Sequence, residues 1–184
     1  SRGRKGLEFL TAYYQVESVS LPIAFDIVEK TEQYVDPKTK KAKRRSPVTK
    51  NQRYLTLLRV AIQNQVQFRY VLNDVWFASA DNMKYVKTVL KKDFIMPLKS
   101  NRKVDDSQGT QPYKAVSTLQ WSAQEHVHGK QVKLFKFPSD IKLKLFRVVV
   151  DNNRTDWVVT NDLSQDSTDD THEMCAVRWK IEQF

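Results

Sequence analysis

Two carboxylates and one guanidinium are the groups on which chemistry could be built in this chain. Near its C-terminal end, Cys175-Ala-Val-Arg178-Trp-Lys-Ile-Glu182-Gln-Phe184 reads as helix. At ~100° per residue, Cys175, Arg178 and Glu182 share one stripe, and Met174, Val177, Ile181 and Phe184 form an overlapping apolar one. A carboxylate and a guanidinium on the margin of a packed face suit a metal ligand beside a phosphate clamp. The same spacing suits an i,i+4 Arg–Glu pair on a solvated face, worth roughly 0.2–0.5 kcal/mol. The second carboxylate is Asp74. It ends the strand-like run from Val66, on the same face as Phe68, Tyr70 and Leu72, and the carboxyl end of a buried parallel strand is where α/β sheets place their chemistry. The competing reading is a turn-forming Asn73-Asp74 pair. His126, His128 and His172 lack a ligand pattern and read as surface or structural residues.

The elements that must position these groups are legible in outline. Leu7–Val16 and Val19–Val28 read as strands of an antiparallel hairpin, with Leu21, Ile23, Phe25 and Ile27 on one face and Asp26 on the other. From Asp36 to Lys50 the chain is dense in Lys38, Lys40, Lys41, Lys43, Arg44, Arg45 and Lys50 and almost free of apolar residues. That composition reads as a loop or flexible arm, either solvated or neutralised by a phosphate backbone. Asn51–Gln65 follows as a helix capped by Thr49 or Asn51, with Leu55, Leu58 and Ile62 at helical spacing. After Asp74, Ser79 or Asp81 caps a helix whose inner stripe is Met83, Val86 and Leu90. A strand at Phe94–Leu98 leads to a basic segment with Lys99, Arg102 and Lys103. From Gln108 to Asn161 the period is two almost throughout, with strands expected at Gln131–Phe137, Ile141–Val150 and Thr155–Thr160. Asp166, Ser167, Asp169 and Asp170 supply caps and acidic first-turn residues for the last helix.

Composition bounds the partners. A length of 184 residues with 40% hydrophobic and 11% aromatic content suits one folded domain. The formal charge of +10 suggests a polyanionic partner. The single Cys175 excludes an internal disulfide and a cysteine-rich zinc site. Four glycines, none in a phosphate-binding loop, argue against a nucleotide-binding fold. No apolar run is long enough to span a membrane, and no signal-peptide pattern opens the chain, so cytoplasmic residence is the default.

The motifs, taken in order, resemble those of DDE transposases of bacterial insertion sequences. Tyr70-Val-Leu-Asn-Asp74-Val-Trp-Phe-Ala-Ser79 resembles the second-aspartate motif of that family. In the branch concerned, a β-rich insertion precedes a helix with a Tyr-x2-Arg-x3-Glu-x6-Lys signature. Cys175-x2-Arg178-x3-Glu182 matches it, except that Cys replaces Tyr and the Lys would fall beyond Phe184. Thr160-Asn161-Asp162 resembles the end of the strand before that helix. Gly6-Leu-Glu-Phe-Leu-Thr-Ala-Tyr13 and Ser20-Leu-Pro-Ile-Ala-Phe-Asp26 look like the two strands that follow the first-aspartate strand.

The resemblance implies an α/β fold with a ribonuclease H-like core, its first strand missing, and an antiparallel β insertion before the last helix. The corresponding division is 1–107 for the first part of the core, 108–162 for the insertion and 163–184 for the helix carrying Glu182. It implies an endonuclease and strand-transfer enzyme of DNA transposition and recombination, with Asp74 and Glu182 as catalytic ligands of two Mg²⁺ (or Mn²⁺) ions. Carboxylates sharing such ions should stand roughly 4–7 Å apart. Arg178 would hold a phosphate, Trp76 or Trp179 could stack on an unpaired base, and Lys40, Lys41, Lys43, Arg44 and Arg45 would contact DNA. Implied partners are transposon-end and target DNA, with a homodimer in the intact enzyme and a nucleoid-associated location in the cytoplasm. The first catalytic aspartate is expected upstream of Ser1, so the chain reads as an internal fragment that does not itself cut DNA. Asp26 is not expected to replace that residue. The alternative is a non-catalytic nucleic-acid-binding module.

Overall fold

The computed structural model describes residues 8–151 and 154–181, and it is a mixed α/β structure. The chain forms two compact units, one up to Gln67 and the other from Phe68. That division differs from the boundary at 107 read from the sequence.

In the first unit, β1 (Phe9–Val16) and β2 (Val19–Ile27) form the expected antiparallel hairpin. Its register shifts between Ala12 and Tyr13, opposite Pro22, whose missing N–H cannot complete the ladder. Helix α1 (Lys50–Gln63) packs on this hairpin. Thr49 caps it through a reciprocal box with Gln52, which satisfies two otherwise orphaned N–H groups. Its buried stripe is Tyr54, Leu57 and Ala61, one residue round from the Leu55, Leu58 and Ile62 stripe expected. The rotation turns Arg53 inward, where Nη1 meets Asp26 Oδ1 at 2.5 Å and the Ile27 carbonyl at 3.0 Å. The Asp26 side of β2 therefore faces the helix, while Leu21, Phe25 and Ile27 are exposed.

The basic segment, expected as a loop or flexible arm, is instead largely a β-hairpin of β3 (Glu32–Val35) and β4 (Ala42–Arg45). Asp36 starts its turn by accepting from the Lys38 and Thr39 amides, and Lys40 adopts a left-handed φ of 54°. Asp36 also pairs with Lys43, and Glu32 pairs with Arg45 at 3.0 Å across the strands. Two acidic residues among the cations thus pin a ladder that the charge density alone concealed.

The second unit is built on a seven-stranded sheet in the order β5-β6-β11-β10-β9-β7-β8. Its strands are β5 (Tyr70–Leu72), β6 (Asp93–Leu98), β7 (Lys103–Asp105), β8 (Lys114–Ala115), β9 (Lys130–Leu134), β10 (Leu143–Asp151) and β11 (Arg154–Thr160). β5 and β6 are parallel, and every other neighbouring pair is antiparallel. β5 is shorter than the run expected from Val66 because it is an edge strand that pairs only with Asp93–Ile95. Between β5 and β6 lie a 3₁₀ turn at Val75–Phe77 and α2 (Ala80–Lys84), which Ser79 caps. A π turn at Tyr85–Val89 continues α2 and closes with Leu90 N–H to the Tyr85 carbonyl. Met83 and Val86 of this segment are wholly buried.

The strands between 108 and 162 are antiparallel, as their alternation predicts, but they extend the sheet begun by β5 and β6. They are also interrupted by α3 (Ala123–His128), in a stretch whose sequence has period two almost throughout. A Ser122–Glu125 capping box starts α3, and Gly129 ends it at φ 74°. Ser167 caps α4 (Thr168–Ile181) by accepting from the Asp170 amide. Cys175 of α4 is buried against Ile95, Phe146, Val148 and Val158, with Met174, Tyr70, Leu72 and Val150 packed around that cluster. No described helix is long and apolar enough to cross a membrane.

Candidate functional site

Asp74 stands two residues past the carboxyl end of β5. It is half-buried and caps the 3₁₀ turn, its Oδ1 accepting from the Val75 amide at 2.5 Å. The sequence's two readings of this residue are thus compatible: it forms a turn, and it does so at the end of a parallel strand. The turn pushes Trp76 outward, leaving it 75% exposed.

The direction of α4 follows from its contacts. Lys144, at the start of β10, donates to the Gln165 carbonyl and to Asp166 just ahead of the helix. About two turns on, Met174 and Cys175 pack with Val148 and Val150 near the end of β10. β10 runs parallel to β5 and β6, since antiparallel β11 lies between β10 and β6. Helix α4 therefore advances toward the sheet end at which Asp74 stands. Its last described residue is Ile181; Glu182 follows in the sequence and lies outside the described residues, as does the side chain of Arg178. Cys175 itself is buried in the core cluster rather than exposed at the surface.

The opposite end of the sheet is clasped by the Thr160-Asn161-Asp162 run. The Asn161 side chain accepts from the Phe94 amide at 2.8 Å and donates to Asp93 at 2.5 Å. Asp162 accepts from Arg69 at 2.7 Å, from the Tyr70 hydroxyl, and from Ser164. Burial pushes the Asp162 carboxyl up, but hydrogen bonds from Ser164 and Tyr70 and the Arg69 charge hold it below its ordinary value. Burial and the bond to Asp162 push the Tyr70 hydroxyl up to about 12. This cluster is structural: it ties β5, β6 and β11 together at the end away from Asp74.

The other candidates fall as follows. Asp26 is in the first unit, ion-paired to a nearly buried Arg53 and so occupied in holding α1 to its hairpin. Lys40, Lys41 and Arg44 are exposed on the basic hairpin, whereas Lys43 and Arg45 have internal carboxylate partners. His128 bonds the Asp166 carbonyl, and His126 lies against Trp121. Among the described residues, of which Glu182 is not one, no three His, Cys, Asp or Glu side chains group as metal ligands. Asp74 is a hard oxygen donor of the type Mg²⁺ or Mn²⁺ takes. Sequence reasoning missed Lys130, which is nearly buried between Asp106 (3.1 Å) and Glu125 (3.2 Å) and beside Trp121. The Ser-x2-Glu spacing at 122–125 was its only visible trace. Comparison with protein-family models, curated proteins and solved structures finds no match for the chain.

Proposed function

We propose that the chain is part of a DNA strand-transferring nuclease of the DDE transposase type, with a ribonuclease H-like arrangement in its second unit. The observation that carries this reading is Asp74 at the carboxyl end of the parallel β5–β6 pair, the end toward which α4 advances. The adjoining parallel strands, the helix between them and a returning helix on the sheet supply the scaffold such a site needs. Asp74 and Glu182 would hold the divalent ions, which when bound polarise a scissile phosphate and activate the attacking oxygen. The protein's own contribution is to fix Asp74 through its turn, to keep the ligand end of the sheet clear of the Thr160–Asp162 clasp, and to gather DNA by its excess of cations.

The exposed cationic β3–β4 hairpin favours a second reading, a binding module without catalysis. Divalent metal separates the two. On the nuclease reading, Mg²⁺ or Mn²⁺ tightens DNA binding relative to EDTA at matched ionic strength, and Asp74→Asn removes the increment while leaving the EDTA affinity intact. DNA binding indifferent to both metal and Asp74 would leave only the binding module.

A further inference from the structure

The β3–β4 ribbon has two unlike faces. Its register sets Glu32 opposite Arg45 and Tyr34 opposite Lys43 on one face, with Gln33 opposite Arg44 and Val35 opposite Ala42 on the other. The first face answers its own charges. Arg45 pairs with Glu32 at 3.0 Å and lies over the half-buried Tyr34 ring, and Lys43 pairs with Asp36. On the second face all four side chains are exposed, Val35 to 64%, and Arg44 forms no ion pair among the described residues. We infer that this second face reads base edges in the major groove of duplex DNA, Gln33 on adenine, Arg44 on guanine, and Val35 with Ala42 against a thymine methyl.

Shape selects the groove. The ribbon is a two-stranded sheet with its strands roughly 4.8 Å apart. The major groove, about 12 Å wide, admits such a ribbon, whereas the minor groove, about 6 Å wide, does not. Chemistry selects the bases. A Gln amide bonds bidentately to adenine N6 and N7, an Arg fork to guanine O6 and N7, and small apolar side chains touch the thymine methyl. Directly opposed residues keep their Cβ atoms about 4.5–5.5 Å apart, so Gln33 and Arg44 fall on neighbouring base pairs. Val35 and Ala42 follow roughly 6.8 Å along the same face, about two base-pair steps away.

The ribbon is also held firmly enough to keep those side chains in order. At its base, Arg53 Nη2 donates to Ser46 Oγ at 3.0 Å while Nη1 holds Asp26 and the Ile27 carbonyl, which ties the end of β4 to α1 and to β2. At its tip, Asp36 fixes the turn through the Lys38 and Thr39 amides. Phosphate contacts position a protein on DNA and carry no sequence information, and the exposed Lys38, Lys40 and Lys41 at the turn suffice for them. In the groove the Arg44 charge still displaces counterions, so it counts toward salt dependence as well as base choice. The inference rests on the reading that the chain binds DNA, and it adds that this ribbon contributes sequence preference.

The test is selection from a pool of short duplexes with a randomised centre, followed by anisotropy on the enriched duplex and on a scrambled one. The proteins are the whole chain and its Gln33→Ala and Arg44→Ala variants. Expected is enrichment of a motif with guanine and adenine on neighbouring base pairs. Gln33→Ala should lose roughly 5- to 150-fold of the discrimination, at the adenine alone, with affinity for the scrambled duplex and the salt slope unchanged. Arg44→Ala should lose the guanine preference together with part of the salt slope. Replacing that guanine by 7-deazaguanine, which lacks the N7 acceptor, should weaken binding by the unaltered chain and not by Arg44→Ala. Duplex binding without an enriched motif, or the same motif enriched by Gln33→Ala, would overturn the base readout while the DNA-binding reading stands. If no duplex is retained, the underlying reading falls as well.

Discussion

Removing charge from the basic hairpin should change the salt dependence of DNA binding in a way that its ion pairs dictate. Between Glu32 and Arg45 the hairpin carries six cations and two carboxylates. Asp36 engages Lys43, and Glu32 engages Arg45 at 3.0 Å, so these two cations already have internal counter-charges. Lys40, Lys41 and Arg44 are exposed and form no ion pair among the described residues. If each of these three meets a phosphate, neutralising them should flatten the slope of log K against log salt by about 2.7, at ~0.9 per contact. The affinity lost between roughly 50 and 200 mM salt would then be about 40-fold smaller than in the unaltered chain. Neutralising Lys43 and Arg45 should flatten it by less than their nominal ~1.8, because Asp36 and Glu32 already answer their charges and the pair releases fewer counterions from DNA. Lys40→Asn, Lys41→Gln and Arg44→Gln suit the experiment, since Asn tolerates the left-handed backbone at position 40. Fluorescence anisotropy of a labelled duplex across a salt series reads the slope. Equal effects of the two sets, or none from the triple variant, would refute the reasoning and return the hairpin to the role of a solvated surface.

Two further expectations concern stability. A Cβ at Gly129 would lie 2.7 and 2.8 Å from ring carbons of the wholly buried Phe146 and 3.0 Å from the Leu145 carbonyl, at a backbone φ of 74°. Gly129→Ala should therefore cost at least about 2 kcal/mol in chemical denaturation, and an unchanged midpoint would contradict the packing described. Tyr70 and Asp162 should bracket stability in pH. With its folded pKa raised from 10.0 to about 12, Tyr70 contributes stability that is complete below pH 10 and lost as pH rises toward 12. With its folded pKa held below 3.8, Asp162 contributes stability present above that value and lost as pH falls through the folded one. Tyr70→Phe should flatten the alkaline limb of a denaturation-midpoint profile, and an unaltered limb would remove Tyr70 from the clasp.

Much of the element order was legible from local signals: the β1–β2 alternation, the Thr49, Ser79 and Ser167 caps, and the three strands before α4. What was not legible depended on distant partners. The face of α1 is set by a salt bridge from Arg53 to Asp26, 27 residues away, and apolar spacing alone placed the stripe one residue off. The β3–β4 ladder hides inside a charge run because its register is fixed by cross-strand ion pairs rather than apolar alternation. α3 is a single short element whose capping box stands in a region of strand-like periodicity. At the candidate site, the place of Asp74 just past a strand was readable from the Phe68–Asp74 alternation, whereas its parallel pairing with β6 was not, because alternation carries no strand direction. The Asn161–Asp162 clasp at the opposite end was not readable either, because Arg69, Tyr70 and Asp93 reach it only once the sheet is assembled.

The central claim is that Asp74 shares divalent metal with Glu182, and Mn²⁺ binding followed by electron paramagnetic resonance tests it most directly. The comparison is among the unaltered chain and its Asp74→Asn, Glu182→Gln and Asp26→Asn variants, each with duplex DNA present. Asp74→Asn and Glu182→Gln are each expected to weaken Mn²⁺ binding, with the double variant little weaker than either single one, and Asp26→Asn, whose carboxylate is committed to Arg53, to leave it unchanged. Mn²⁺ binding that survives the loss of both Asp74 and Glu182, or that depends on Asp26, would contradict that claim.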